Sequence, residues 1–203
     1  MKLYDGGRAP NPRRVRIYLA EKGLSVPLVP IDMGALEHKA DTVAARNPLK
    51  RLPVLELDDG TVLTETIAIC RYFEELHPEP PLFGTGALGK AMVEMWQRRL
   101  ELNFLMPVAN AFRHIHPAMK EWEIPQLPEW GEINKPKAVE FMAILDRELA
   151  SREFAAGDAY SVADITGLVT MDFLKPARIA VPEEMGNLRR WHAAISARPS
   201  AAA

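Results

Sequence analysis

The side chains best suited to chemistry in this sequence are one cysteine, two nearby histidines and a polar segment close to the N-terminus. Cys70 lies within an apolar pattern of helical spacing, which predicts a buried and unreactive thiol. His114 and His116 are two residues apart and do not share a helix face, and no cluster of cysteines or carboxylates accompanies them. We therefore predict no metal site. No Cys-x-x-Cys or Cys-x-x-Ser pair stands at the first predicted helix, which excludes dithiol exchange there.

The polar segment, residues 9–16 (Ala-Pro-Asn-Pro-Arg-Arg-Val-Arg), is suited to stabilising an anion such as a thiolate. A free thiol has a pKa of about 8.5, which a hydrogen bond to sulfur, a helix N-terminus or nearby positive charge lowers. Asn11 supplies an amide N–H, and positive charge comes from Arg13, Arg14 and Arg16. Asn11 is also predicted to be the N-cap of a helix with Pro12 as its first residue. Both roles are compatible, because one amide has two donors and an acceptor.

The elements that position this segment alternate between short strands and helices. Asp59-Gly60 is a strong signal for a two-residue hairpin, Gly23 ends the first helix, and Asn47-Pro48 stops the second. The order is βαβαββα, and the first two strands are parallel because a helix connects them. The predicted elements are strands at 2–4, 27–31, 54–57 and 61–63, and helices at 12–22, 37–46 and 65–77.

The second half of the chain predicts helices only. Prolines and glycines at 79–86 indicate a linker, and Ser161-x-x-Asp164 opens a helix as a capping box. Helices are predicted at 87–116, 133–150 and 184–197 as well, with an interruption at 122–131. We predict an α/β domain at 1–78, a linker at 79–86 and an all-α domain at 87–203.

Two motifs resemble the cytosolic glutathione transferases, and together the resemblance spans essentially the whole chain. The first is Leu-Pro-Val-Leu-Glu at 52–56, followed by the hairpin and by Leu-Thr-Glu-Thr-Ile-Ala-Ile at 63–69. The second is the Ser161-x-x-Asp164 box with Gly-Asp at 157–158 before it. These motifs are specific for the superfamily and weak for a class. The resemblance implies a thioredoxin-like N-terminal domain and an all-α C-terminal helical bundle.

The resemblance also implies how glutathione binds. Pro53 follows a cis peptide bond, and the backbone of Leu52 pairs with the cysteinyl part. Glu65 and Thr66 hold the γ-glutamyl end, whose ammonium suits a carboxylate and whose carboxylate suits a hydroxyl and free N–H groups at a helix N-terminus. A basic residue meets the glycyl carboxylate, and we favour Arg51, which is always charged, over His38.

The group that contacts the glutathione sulfur departs from the best-known classes. Serine-type members carry a hydroxyl where this chain has Ala9, and cysteine-type members carry a thiol about where Asn11 stands. The chain is similar to a bacterial subset with a small residue followed by Pro-Asn, so Asn11 is the predicted catalytic residue and sulfur contact. Tyr4 remains the alternative, as in the tyrosine-type classes. The side chains to search first for a second substrate are Phe104, Phe112 and His114, although core packing is favoured for most of them.

Composition restricts the function further. The chain has 203 residues, a net charge of −2 and one cysteine. Such a charge gives no reason to expect nucleic acid as a partner, and no apolar run is long enough for a signal peptide or a membrane span, so we expect a cytoplasmic protein.

The function that the resemblance implies is conjugation of glutathione, the co-substrate, to a small electrophile. The alternatives are a glutathione-dependent disulfide or peroxide reductase, and a glutathione-binding member without turnover.

The resemblance further implies a homodimer. Two predicted helices carry both apolar residues and charges, a mixture that suits a two-fold interface. The apolar residues are Ile69, Met92 and Met95, and the charged ones are Arg71, Arg98 and Arg99.

Overall fold

The computed structural model describes residues 1–203 and divides them into two compact units. Unit 1 comprises Met1–Pro81 with Ala202–Ala203, and unit 2 comprises Leu82–Ala201. The boundary between the units, after Pro81, falls within the range 79–86 that was predicted as a linker. The domain bounds 1–78 and 87–203 stay a prediction.

Unit 1 is a four-stranded sheet with helices, in the predicted order βαβαββα. Its strands are β1 (Lys2–Asp5), β2 (Leu28–Pro30), β3 (Val54–Glu56) and β4 (Val62–Thr64), and its helices are α1 (Pro10–Glu21), α2 (Asp41–Ala44) and α3 (Thr66–Leu76). The sheet order is β2-β1-β3-β4, with β1 and β2 parallel and the other pairs antiparallel. This is the thioredoxin-like arrangement. The predicted helix at 37–46 is instead a 3₁₀ turn, Glu37–Lys39, followed by the single turn of α2.

The register of the strands places one end of each of the four strands at the same edge of the sheet. Tyr4 lies opposite Val29 and Val54, and Val54 lies opposite Thr64. The carboxyl ends of β1, β2 and β4 therefore meet the amino end of β3 at the same edge. The segments that leave or enter the sheet there contain α1, the 3₁₀ turn, the loop before β3 and the start of α3.

The side chains of the sheet pack on both faces. Tyr4 and Val54 point to one face, where they form an apolar cluster with Ile31, Val43 of α2 and Leu52. Because successive residues of a strand alternate, Leu3 and Leu55 point to the other face, and both are fully buried. The helices α1 and α3 pack against each other.

The start of α1 differs from the prediction. Ala9, with extended backbone, is the N-cap, so α1 begins at Pro10 and Asn11 is its second residue. The prediction of Asn11 as N-cap was therefore wrong. Pro10 fits the first helical position as well as Pro12 does, because its φ is fixed and it has no N–H to leave unpaired. The other end agrees with the prediction, since Gly23 follows the helix with φ +65°.

Unit 2 is helical. Its helices are α4 (Gly86–Leu100), α5 (Met106–Ile115), α6 (Pro128–Leu149), α7 (Val162–Ala177) and α8 (Gly186–Ser196). A π-helical segment, Glu101–Leu105, joins α4 to α5, so the helix predicted at 87–116 is continuous but widened in the middle. Pro107 lacks the N–H that would bond to the carbonyl of Asn103, which accounts for the widening just before it.

Two further expectations for helices change. Helix α6 begins at Pro128, five residues before the predicted start, because proline suits the first turn of a helix. The same helix contains a second proline, Pro136, in its interior. Ile69 was expected on a surface shared between subunits, but it is fully buried in unit 1. No helix combines the length and the apolar character needed to cross a membrane.

The predicted capping box at the start of α7 is confirmed and is a centre of buried hydrogen bonds. Asp164 Oδ2 accepts from the backbone N–H of Ser161 at 3.0 Å and from its hydroxyl at 3.1 Å. Asp164 Oδ1 accepts from the N–H of Ala155 at 2.8 Å and from Trp191 Nε1 of α8 at 2.9 Å. Burial raises the pKa of the Asp164 carboxyl, and these four donors oppose that change.

Candidate functional site

The predicted glutathione-binding residues of unit 1 lie on segments that meet at one edge of the sheet. Leu52 and Pro53 come directly before β3, and Glu65 comes directly after β4. Asn11 lies on α1, which follows β1, and His38 lies on the 3₁₀ turn that follows β2. The sheet register thus places residues far apart in the sequence at one edge.

The loop before β3 presents a free backbone at Leu52. The bond between Leu52 and Pro53 is cis, as the resemblance implies. The N–H and C=O of Leu52 make no hydrogen bond within the protein. A free donor and a free acceptor on one residue are what an extended peptide needs for strand-like pairing.

A residue that sequence reasoning missed supports this loop. The side chain of Asn47 is buried; its Nδ2 donates to the carbonyl of Arg51 at 2.9 Å, and its Oδ1 accepts from the N–H of Leu49 at 3.0 Å. Asn47 was interpreted only as part of a helix stop. The signal was present, because asparagine before proline favours turns in which the side chain bonds to the backbone two residues on.

The start of α3 combines a strained residue with free donors. Glu65 is the N-cap with φ +67° and ψ 120°, a conformation that a residue other than glycine rarely adopts, and its side chain is exposed. Thr66, the first helical residue, is buried. The N–H groups of Thr66, Ile67 and Ala68 belong to the first turn and have no partner within the helix. A carboxylate, a hydroxyl and these donors can hold a group that carries both an ammonium and a carboxylate.

In the first turn of α1, Asn11 is the residue that offers free hydrogen-bond donors. Pro10 and Pro12 have no N–H, and the N–H of Arg13 bonds to the carbonyl of Ala9 at 3.2 Å. Asn11 is half-buried, and its Oδ1 accepts from Arg14 Nη1 at 3.1 Å. The amide therefore offers Nδ2, together with its backbone N–H, at the positive end of the helix.

The positive charge at this helix is distributed differently from the expectation. Arg16 forms an ion pair with the buried carboxylate of Asp5, which also accepts from the N–H of Gly7 at 2.9 Å. The charge of Arg16 is thereby largely neutralised. Arg14 is 2% exposed and contacts the predicted sulfur-binding residue, so it is the cation most closely connected to Asn11.

Tyr4 is engaged elsewhere. Its hydroxyl donates to Glu56 Oε2 at 2.9 Å, and the guanidinium of Arg46 lies over its ring, 4.8 Å from the centroid. Hydrogen bonds from Arg46, Tyr4 and Lys2 lower the pKa of the Glu56 carboxyl to about 2. A hydroxyl already bonded to a carboxylate is a poor donor for sulfur, so the structure favours Asn11 over Tyr4.

The two candidates for the glycyl carboxylate differ in exposure. His38 is buried, and burial together with the nearby charge of Lys39 lowers the pKa of its imidazole, which is therefore neutral at pH 7. Arg51 is exposed, and its guanidinium makes no hydrogen bond or ion pair. A neutral imidazole offers at most an N–H, whereas Arg51 offers a charge, so the preference for Arg51 is retained.

The side chains suggested for a second substrate have structural contacts in unit 2. Phe104 is fully buried, 5.8 Å from the ring of Phe141. The ring of Phe112 lies 4.6 Å from that of His116 and is half-buried. His114 Nδ1 accepts from the N–H of Leu127 at 3.1 Å. Phe104 and His114 therefore stabilise the helical unit, and a contact of any of the three with a second substrate stays a prediction.

Cys70 is unsuited to a role as nucleophile. It is fully buried on α3, and burial raises the pKa of its thiol to about 12. The prediction of a buried thiol is confirmed, and a raised pKa disfavours the thiolate at neutral pH.

Comparison with known families agrees with both halves of the architecture. Residues 9–76 match the family described as glutathione S-transferase, N-terminal domain, and residues 125–199 match its C-terminal domain. This chain belongs to the glutathione S-transferase family. Membership makes it a glutathione transferase, with glutathione as co-substrate.

Relatives of this transferase are similar over nearly its full length. Glutathione S-transferase 2 of Saccharomyces cerevisiae is 40% identical and covers 98% of this chain, while the match covers 87% of the yeast protein. The crystal structure of Gtt2 from S. cerevisiae superimposes with a TM-score of 0.94 at 40% identity, covering 98% of each chain. A glutathione S-transferase domain-containing protein of Marinobacter aquaeolei VT8 gives a TM-score of 0.92 at 39% identity, covering 98% of this chain and 99% of that one.

Proposed function

We propose that this transferase conjugates the glutathione thiolate to small electrophiles and that Asn11 Nδ2 donates the hydrogen bond that stabilises the thiolate. The observation that supports this most strongly is the edge of the sheet in unit 1, where Asn11, the free backbone of Leu52 and the strained Glu65 lie on neighbouring segments. These groups differ in chemistry, and each matches one part of the tripeptide.

Glutathione would bind along this edge in an extended form. Leu52 pairs with the cysteinyl backbone through its free N–H and C=O. Glu65 binds the γ-glutamyl ammonium, while Thr66 and the first-turn N–H groups of α3 bind the γ-glutamyl carboxylate. Arg51 binds the glycyl carboxylate, and His38 is the weaker candidate for that contact. The cysteinyl sulfur then lies toward α1.

The start of α1 would lower the pKa of the bound thiol. Losing a hydrogen bond to a charged group costs about 1.5–3 kcal/mol, and one pKa unit corresponds to about 1.36 kcal/mol. A donor at Asn11 Nδ2 therefore accounts for roughly one to two units, which takes a thiol of ordinary pKa to near neutrality. The thiolate attacks the electrophilic carbon, a leaving group departs, and the sulfur loses its charge in the product.

Two properties accompany the proposed function. We expect a homodimer, since α4 and the segment after it carry a row of large apolar side chains at intervals of four, three, seven and four residues; these are Leu88, Leu102 and Met106, which are exposed, and Met92 and Met95, which are half-buried. We also expect the protein to be cytoplasmic, because a single cysteine, buried and unpaired, suits a reducing compartment.

The sulfur contact is tested by replacing Asn11 and titrating the glutathione thiolate in the ultraviolet. Asn11→Ala is expected to raise the pKa of the bound thiol by about one to two units, since it removes the donor. Asn11→Asp keeps the acceptor for Arg14 but places a carboxylate beside the sulfur, so it should raise that pKa further. The conjugation rate near pH 7 should fall and partly recover at high pH. A wild-type thiol pKa in both variants, with an increase in Tyr4→Phe, would assign the contact to Tyr4.

The type of reaction is tested with three substrates. Conjugation predicts turnover of a chlorinated aromatic compound, whereas a reductase would act on a hydroperoxide or on a mixed disulfide of glutathione. Turnover of only the latter two would contradict conjugation. Calorimetric binding of glutathione without any turnover would identify a binding protein.

A further inference from the structure

We infer that Arg14 is a positioning residue, which fixes the side-chain amide of Asn11 so that Nδ2 faces the sulfur. The inference rests on the proposed sulfur contact and goes beyond it, because Arg14 does not itself touch the thiol. Its Nη1 donates to Asn11 Oδ1 at 3.1 Å across one turn of α1.

Arg14 is a buried residue of α1, the helix that packs against α3. Arg14, Tyr18 and Lys22 are spaced four residues apart and so share one face of α1. Tyr18 donates to Glu74 of α3, and Lys22 pairs with the same carboxylate at 2.6 Å. Arg14 is 2% exposed and lies close enough to Cys70 on α3 for its charge to counteract, in part, the rise of the Cys70 pKa. A buried arginine with packed neighbours has little freedom to move.

This contact decides which end of the amide faces the sulfur. An asparagine amide can rotate by half a turn and exchange its oxygen and nitrogen, but only one orientation presents a donor. Arginine has donors and no acceptor, so only the carbonyl oxygen of Asn11 can bond to it. In the rotated state, Nδ2 would face the guanidinium, and Oδ1 would face a thiolate that repels it. Arg14 therefore excludes the unproductive orientation and polarises the amide, which makes the N–H a better donor.

The test is a double-mutant cycle on Asn11 and Arg14, with the thiol pKa of bound glutathione as its readout. Arg14→Met removes the contact at similar side-chain volume, and we expect it to raise the thiol pKa by about 0.5–1 unit, less than Asn11→Ala does. Because Arg14 acts through the amide, the double variant should have the same thiol pKa as Asn11→Ala alone, within about 0.3 unit. Near pH 7 the rate of Arg14→Met should be about two- to fivefold lower, the loss of thiolate that this pKa rise predicts for a wild-type thiol pKa near 7.

A direct effect of charge on the sulfur gives a different result. If Arg14 stabilised the thiolate through space, Arg14→Met would raise the pKa equally with and without Asn11, and the positioning role would be refuted. A wild-type pKa in Arg14→Met would refute it as well. Arg8→Met is the matched control, because Arg8 is exposed and without partners near the same helix start. Removing the Arg8 charge should leave the thiol pKa within about 0.3 unit of the wild-type value, since solvent and salt screen an exposed charge.

Removal of a buried charge can unfold a protein, so a second variant is needed. Arg14→Lys retains the charge, but its ammonium cannot reach as far as Nη1 or fix the plane of the amide. It should raise the thiol pKa by about 0.3–0.7 unit when Asn11 is present and leave it unchanged in the Asn11→Ala background. No rise in the first case would overturn the inference. Failure of the sulfur contact itself is distinguishable, because Asn11→Ala alone would then keep the wild-type thiol pKa.

Discussion

At the scale of single residues, Glu65 carries the clearest sign of function. A residue other than glycine at φ +67° costs about 1–3 kcal/mol, and such strain persists where a site requires it. Nothing within the protein bonds to the Glu65 side chain, so the fold itself gains nothing from a glutamate there. This strain supports the proposed contact between Glu65 and glutathione.

The variants Glu65→Ala and Glu65→Gly should distinguish the effect of backbone strain on stability from the effect of the carboxylate on glutathione binding. Both Glu65→Ala and Glu65→Gly remove the carboxylate, and calorimetry should show glutathione binding weakened by about 1.5–3 kcal/mol. Without ligand, the glycine variant should be the more stable one by about 1 kcal/mol in chemical denaturation, because only glycine adopts this φ freely. The same pair at Glu75, an exposed position within α3, should show the reverse order by about 0.5–1 kcal/mol. Wild-type glutathione affinity in both position-65 variants would remove Glu65 from the site.

At the scale of elements, Asp164 connects the start of α7 to the 155 loop and to α8. Each oxygen accepts two hydrogen bonds from buried donors. The capping box is visible in the sequence, but the contacts with Ala155 and Trp191 come from the tertiary structure. The carboxylate therefore fixes the position of α7 relative to two other segments of unit 2 as well as beginning the helix.

Asp164→Asn should lower the free energy of unfolding by about 1–3 kcal/mol, the cost of leaving a buried donor without an acceptor. The amide oxygen can replace Oδ1 toward Ala155 and Trp191, but Nδ2 would then face the N–H of Ser161, and two donors cannot bond. Asp158→Asn makes the same chemical change at an exposed residue and should alter stability by less than about 0.5 kcal/mol. Equal effects of the two substitutions in urea denaturation would argue against a structural role for the Asp164 hydrogen bonds.

At the scale of the whole molecule, the proposed homodimer would use the apolar row along α4 and the start of α5. Leu88, Leu102 and Met106 are 77%, 53% and 45% exposed, and such apolar residues in one row favour an interface. Ile69 is buried and does not take part. An isologous pairing of this row would cover it in both subunits.

Light scattering should give about twice the chain mass of 22.7 kDa. Leu102→Glu places a charge within the row and should shift the protein to the monomer at low micromolar concentration, since an unpaired charge is costly to bury. Ile144→Glu is the control, because Ile144 is 41% exposed on α6 and outside the row. A monomeric wild type at high micromolar concentration would refute the homodimer, and a dimeric Leu102→Glu would place its interface elsewhere.

The sequence by itself determined the features that depend on neighbouring residues. Asp59-Gly60 predicts the hairpin, Gly23 the end of α1, and Ser161 with Asp164 the start of α7, because a turn or a cap requires particular residue types within a few positions. The resemblance around Pro53 and Glu65 added the family and hence the co-substrate. The local signals failed at α1, where Pro10 and Pro12 both suit the first turn; asparagine is the better N-cap by residue type, yet the helix begins after Ala9.

Only the tertiary structure decided which polar groups remain available. Tyr4 bonds to Glu56, 52 residues away, and Arg16 pairs with Asp5, so both are engaged within the protein, and neither pairing follows from local residue preferences. The contact of Arg14 with Asn11 is local in sequence, but the burial of Arg14 depends on the packing of α1 against α3. Hydrogen-bond partners depend on distances across the fold, and those distances are set by strand register and helix packing, which a local pattern does not contain.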